Sequence, residues 1–232
     1  MICRKTLRMH YLPYALLSGP ALALAMLFAA CGGPAPPPAQ EQPPVRAVTQ
    51  QLVGGPCEGC EALYEYGTKQ LAPTDTLPGY HASEPKLLLT GVVRARDGHT
   101  PVENVIIYIY HTSRRGLYEA RADATGWAKR HGHVRGWVTT GKDGRFTFYT
   151  FRPGPYPDRL DPEHIHVTLK EPGKNACYLD SYVFDDDPRL TTAERKKVEN
   201  RGGSGITHPR WENGLLVVQR DLVVGLNIPN YD

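Results

Sequence analysis

The stretch RPGPYPDRLDPEHIHVTLK, residues 152–170, sets a tyrosine between two prolines and then two histidines one residue apart. Side chains at i and i+2 of a strand share a face, with Cα atoms about 6.5 Å apart. His164 and His166 therefore project together, while Ile165, Val167 and Leu169 point to the opposite side. Two imidazoles at that distance can fill neighbouring positions around one metal ion; on a polar, solvated strand face the same pair has no such role. Tyr156 adds to the pattern. Pro155 fixes the φ angle before it, and Pro157 directs Tyr156 itself toward extended or polyproline geometry. With less freedom to lose on folding, aiming the phenol costs less. The alternative is a turn residue packing its ring on the end of a fold. A tyrosine bound as phenolate needs a strongly Lewis-acidic ion to overcome a pKa of about 10. Hard anionic oxygen with imidazole points away from a thiolate-type zinc site and toward ferric iron.

Other groups capable of chemistry are less constrained. Cys57 and Cys60, in CEGC, have the spacing of half a zinc site, but no second pair exists. A local disulfide is the expectation in an oxidising compartment. A redox centre would call for the motif to open a helix of a βαβ unit, and none is visible. Cys177 is left over. His131 and His133, in KRHGHVRGW, either line a pocket mouth and exchange protons near neutral pH or are loop histidines. The acidic triplet at 185–187 either binds Ca2+ or is a solvated flank favouring the dipole of the helix after it.

Short β runs broken by turns must carry these groups. KLLLTGVVRA is a strand, and NVIIYIYHT alternates with Val105, Ile107 and Ile109 on one face. GWVTTGKDGRFTFYTF reads as strand, Asp-Gly turn, strand, a hairpin. HIHVTLK is another strand and LLVVQRDLVVGLNI closes the domain. The fold class is therefore all-β: an antiparallel β-sandwich with one short helix and long loops. That helix is TTAERKKVEN, where Thr191 as N-cap and Glu194 three residues on make a capping box.

The 232 residues hold one ordinary domain plus extensions. A net charge of +3, much of it in the first ten residues, calls for no nucleic acid. A basic start followed by YLPYALLSGPALALAMLFAA has the physical pattern of a secretory signal over residues 1–30. LFAAC is similar to the lipobox of bacterial lipoproteins, which implies lipidation of Cys31; a single membrane anchor is the alternative. Residues 31–50, rich in Pro, read as a tether, 51–85 as an N-terminal segment holding the CxxC, and 86–232 as the sandwich. The expected location is the cell envelope, periplasmic or surface-exposed, with the membrane as partner through a lipid anchor.

GLYEA, RGWVTTGKDGRFTFYTFRPGPYP and HIHVTL, in that order, resemble the intradiol ring-cleavage dioxygenases, the protocatechuate and catechol dioxygenase group. The likeness spans roughly residues 86–190. It implies a β-sandwich holding non-haem Fe(III) through Tyr118, from Gly116-Leu117-Tyr118, and through Tyr156, His164 and His166. It further implies a small aromatic diol and O2 as substrates, a cis,cis-muconate-type diacid as product, and Tyr156 leaving the metal to take up a substrate proton. Homo-oligomers are common in the group.

Three positions depart from that group. Asp161 stands where an arginine usually precedes the first histidine, and Arg159 is the candidate to replace it as a catalytic cation. Ser181 falls near a usual glutamine, and His164 follows Tyr156 by only eight positions. The metal ligands are intact and their surroundings are changed, which bears on substrate fit and turnover. An iron-binding relative without turnover is thus one alternative. A metal-free binding module is the other, because LTGVVRARDGHTPVENVIIYIYHT with DGRFTFYTFRPGPY also resembles transthyretin-like sandwich repeats.

Overall fold

The computed structural model describes residues 52–231. The signal, Cys31 and tether expected over residues 1–50 lie outside the described residues. Eleven strands form in chain order: β1 (Thr74–Thr76), β2 (Lys86–Arg94), β3 (Ile106–Tyr110), β4 (Arg135–Thr139), β5 (Arg145–Phe151), β6 (His164–Lys170), β7 (Cys177–Phe184), β8 (Ile206–Thr207), β9 (Arg210–Glu212), β10 (Leu215–Gln219) and β11 (Leu222–Val223). The first sheet runs β1-β5-β2-β10-β9, with β11 also on β2, and the second runs β4-β3-β6-β7-β8. Central pairs are antiparallel: β2 with β5, β3 with β4 and β6, and β6 with β7. Parallel pairs occur where early or late segments join, as β1 on β5, β10 and β11 on β2, and β8 on β7.

Alternation explains the core. Leu87, Leu89, Phe146 and Phe148 from the first sheet share one buried cluster with Ile107, Ile109, Ile165, Val167 and Leu169 from the second. Each such side chain stabilises the fold by about 1.5–3 kcal/mol over its exposed state. The other face of the second sheet is covered too, by the N-terminal stretch. Cys60, Ala62 and Leu63, in a 3-10 turn at Cys60–Tyr64, pack on Tyr108 and Trp137. Trp137 Nε1 donates to the Ala62 carbonyl at 3.3 Å.

The expected helix forms as α2 (Thr192–Arg195), where the Thr191 hydroxyl accepts from the Glu194 N–H at 3.3 Å. It is one turn long. The chain then bends back, and the Asn200 N–H bonds Asp180 Oδ2 at 2.7 Å. A second helix of the same length, α1 (Ala128–His131), has Trp127 at its N-cap with no capping side-chain bond, so nothing in the sequence marked it. Among the described residues no helix is long and apolar enough to cross a membrane. The two ends of the described chain meet: the Gly54 N–H donates to the Pro229 carbonyl at 2.6 Å, and Asn230 Nδ2 donates to the Leu52 carbonyl at 3.4 Å.

Candidate metal centre

Two loops and one strand build the site. Gly116 has φ +78°, and a Cβ there would overlap the Pro155 carbonyl, so only glycine lets this turn lie on the Pro155–Pro157 segment. Thr112 Oγ1 donates to the Gly154 carbonyl at 2.7 Å and ties the same two loops together. Tyr118 and Tyr156 are thereby brought face to edge, with phenol oxygens 2.7 Å apart. β6 supplies the imidazoles. Its Ile165 and Val167 enter the core, so His164 and His166 emerge on the outer face, ring planes at 88°.

The four polar atoms converge. Tyr156 Oη lies 3.2 Å from His164 Nε2, and Tyr118 Oη lies 2.9 Å from His166 Nε2. Each imidazole turns its other nitrogen outward: His164 Nδ1 donates to the Pro162 carbonyl at 2.7 Å, and His166 Nδ1 faces Ser181 Oγ at 3.4 Å. The carbonyl partner assigns Nε2 of His164 as the atom carrying a free lone pair, and Nε2 of His166 is the nitrogen turned toward the tyrosines. Burial pushes both histidines below their usual pKa, His166 strongly, so both rings are neutral bases. Burial, then the hydrogen bond to Tyr156, pushes the Tyr118 phenol up, while the Arg159 charge draws the other way. Two hydroxyl protons serve three short contacts, so at any moment one contact sets lone pair against lone pair. A cation among the four atoms removes that conflict. The set is hard phenol oxygen plus imidazole, a donor chemistry that fits ferric iron. Among the described residues no group of three or more His, Cys, Asp or Glu side chains comes together, so the tyrosines are what complete the set.

Residues 66–194, more than half of the chain, match the family model Dioxygenase_C, described as dioxygenase. The chain belongs to the intradiol ring-cleavage dioxygenase family. Catechol 1,2-dioxygenase 1 of Acinetobacter lwoffii is 29% identical over 110 residues, 47% of this chain and 34% of that protein. The protocatechuate 3,4-dioxygenase beta chain of Burkholderia cepacia is 27% identical over 137 residues, 54% of this chain and 58% of the other. The chain thus spans between about a third and somewhat more than half of the length of these curated relatives. Among solved structures, the dioxygenase domain of a dioxygenase–carbohydrate-binding fusion from Streptomyces sp. SirexAA-E aligns with TM-score 0.46 and 27% identity, covering 62% of this chain and 82% of that one. Hydroxyquinol 1,2-dioxygenase from Pseudomonas putida DLL-E4 aligns with TM-score 0.49 and 18% identity, covering 68% and 64%.

Around the four atoms, this intradiol family member differs from what the sequence alone suggested. Arg159 is exposed, with Nε 2.8 Å from Asp161 Oδ2 and its guanidinium 5.1 Å from the centre of the Tyr156 ring. It stands beside the site and not among the donors. Ser181 lies behind His166. The acidic triplet is neither a Ca2+ cluster nor a free helix flank. Asp187 is buried and accepts from the Glu163 N–H at 2.6 Å; Asp186 pairs with Arg152 at 2.8 Å; Asp185 takes His208 at 2.8 Å. Arg189 was not singled out by sequence, yet its Nη1 donates to the carbonyls of Tyr156 and Arg159 at 3.1 and 3.2 Å and fixes the tyrosine loop. Its signal was the Pro188-Arg189 that follows the triplet. Cys57 and Cys60 are joined, and Cys177 is free and buried.

Proposed function

We propose that this protein is a non-haem Fe(III) intradiol dioxygenase acting on a small vicinal aromatic diol and O2, with a cis,cis-muconate-type diacid as product. The observation that carries the reading is the convergence of Tyr118, Tyr156, His164 and His166 through contacts of 2.7 to 3.2 Å. These four side chains would hold the ion, which when bound supplies Lewis acidity toward the diol and opens its ring to O2. The names of the relatives, catechol and protocatechuate dioxygenases, support a diol substrate.

The protein's own groups then divide the work. Tyr118 and the two neutral imidazoles would be the fixed donors, each braced from behind or beside. Tyr156 sits on the loop held by Arg189 and would take up a diol proton at Oη. Arg159, stacked on the Tyr156 ring, supplies positive charge beside the incoming oxyanion. Half-buried donors keep bulk water from competing for the diol.

Visible spectroscopy and metal analysis of the ferric-loaded chain test the reading. A red-brown iron–tyrosinate band that is lost or strongly shifted in Tyr156→Phe, with O2 uptake on at least one of a panel of catechols, supports it. Protein that stays colourless after ferric loading overturns it in favour of a metal-free sandwich module. A second reading, iron held without turnover, is favoured by Asp161, whose carboxylate occupies the guanidinium of Arg159; colour without uptake on any diol would select it. The same proposal places the protein in the cell envelope, lipidated at Cys31, and the disulfide between Cys57 and Cys60 supports an oxidising compartment. Metabolic labelling with a fatty acid analogue, lost in Cys31→Ser, tests that part.

A further inference from the structure

The two histidines of the centre are braced in different ways. His164 Nδ1 makes a short bond of 2.7 Å to the Pro162 carbonyl. The corresponding contact of His166, 3.4 Å to Ser181 Oγ, is too long to orient a ring. Metal-binding histidines are ordinarily held by a good bond from the second nitrogen. His166 is held by stacking in its place. The Tyr110 ring lies over it at 4.5 Å and 17°, and His131 lies over the far side of Tyr110 at 3.7 Å and 2°. His131 is itself fixed, its Nδ1 2.9 Å from Tyr108 Oη. The next residues reach the other ligand: His133 makes its N–H and Nδ1 contacts with the carbonyl of Glu119, which follows Tyr118.

Above this stack sits the disulfide turn. Gly59 has φ +86°, and a Cβ there would stand 2.9 Å from His131 Nε2, so the turn bears directly on the imidazole. The Cys57–Cys60 bond closes that turn. A cavity of about 260 Å³ lies alongside, lined by Pro56, Cys57, Glu58 and Gly59 on one side and by Tyr110 and His166 on the other. His166 therefore has room beside it, and the stack, together with the 2.9 Å contact of its Nε2 to Tyr118 Oη, opposes its rotation.

We propose that His131 is the positioning residue for His166, acting through Tyr110 and clamped by the Cys57–Cys60 turn, so that the N-terminal segment is a working part of the ferric centre. This rests on the four-donor reading above. His131 and His133, which the sequence left as either pocket-mouth groups or loop histidines, thus become a brace for two of the four proposed ligands.

The test uses the full ferric-loaded chain and three variants: His131→Ala, which removes the ring, His131→Phe, which keeps it, and Cys57→Ser with Cys60→Ser. The readouts are iron release to a chelator, the energy of the tyrosinate band, and Tm. The alanine variant is expected to release iron about tenfold faster, the size of effect that lost ligand bracing produces, with a shifted band. The phenylalanine variant is expected to return both to near the wild-type values, and the double serine variant to move them in the same direction as alanine. An unshifted band and unchanged release in both the alanine and serine variants, with only Tm lowered, overturn the proposal. So does a phenylalanine variant as impaired as alanine. If the alanine variant does not fold, the phenylalanine and serine variants decide. Histidine ring resonances of the metal-free protein give an arm independent of iron: those of His166 shift in the serine variant while those of exposed His208 do not, and an unmoved His166 overturns the proposal. A wild-type protein that takes up no iron would sink the dioxygenase reading and leave this arm standing.

Discussion

On β6, Ile165, Val167 and Leu169 enter the core shared with Phe146 and Phe148, whereas on the outer face His164 meets Tyr156 and His166 borders a cavity lined by residues 56–59 of the N-terminal stretch. Neighbouring β3 repeats the contrast, with Ile107 and Ile109 inside and Tyr108 and Tyr110 outside. One set of strands thus presents an aliphatic face whose role is packing and an aromatic, polar face whose role is geometry. The inner face is mostly aliphatic and aromatic packing, and its few polar groups, such as His111 and Thr150, bond one another. The outer face collects lone pairs and holds them with stacks, carbonyls and a disulfide turn. Stability and chemistry are separated by one residue along the chain.

Four substitutions or conditions break or sharpen that contrast. The largest effect is expected from His166→Ala: ferric affinity falls by more than about 100-fold, beyond what loss of a bracing partner costs, while the unfolding free energy changes little. Equilibrium dialysis and chemical denaturation on the same sample measure both. Ile165→Ala should do the reverse. It costs about 2–5 kcal/mol of stability, read by denaturation, while the folded fraction keeps the wild-type band. A colourless but folded Ile165→Ala protein would show that the two faces are not separable.

Acid acts on both faces. Burial pushes His111, at the inner end of β3, down to about 4, and pushes His131, outside, down to about 4 as well. Between pH 6.5 and 4 the unfolded chain binds protons that the folded chain refuses, so stability is full above pH 6.5 and falls as pH drops toward 4. At about 1.4 kcal/mol per tenfold change in proton affinity, His111 alone accounts for roughly 3 kcal/mol. Denaturation of His111→Gln across that range should show a flatter profile than wild type. Smallest is Thr191→Ala, which removes the α2 cap for about 1 kcal/mol or less; both the band and the acid profile should be unmoved, giving a baseline for the rest.

The inner face was legible because alternation is a local signal. NVIIYIYHT and HIHVTLK each declare their strand and which side is buried. Three of the four proposed donors were also suggested by local geometry: Tyr156 by the prolines that flank it, His164 and His166 by their spacing. Tyr118 came only through the likeness of Gly116-Leu117-Tyr118 to a family motif, because nothing local says that a turn at 116 will lie on Pro155. The outer layer was hidden for the same reason. Residues 57–71 carry no regular period, and their burial depends on Tyr108 and Trp137, which are distant in sequence. Asp187 was read as part of an acidic helix flank and Arg189 was not singled out, since their partners, the Glu163 N–H and the Tyr156 carbonyl, are backbone groups that no composition reveals. Stacking of Tyr110 between His131 and His166 likewise joins three segments that the sequence keeps apart.

Leu52 and Gly54 are hydrogen-bonded to Asn230 and Pro229, so the described chain finishes where it starts. A short linker could join these points and new termini could be opened at the turn around Gly98, just after β2, giving a circularly permuted protein with the same sandwich. Such a rearranged gene would move the point of attachment to any support, such as a resin or an electrode, without touching a residue of the centre.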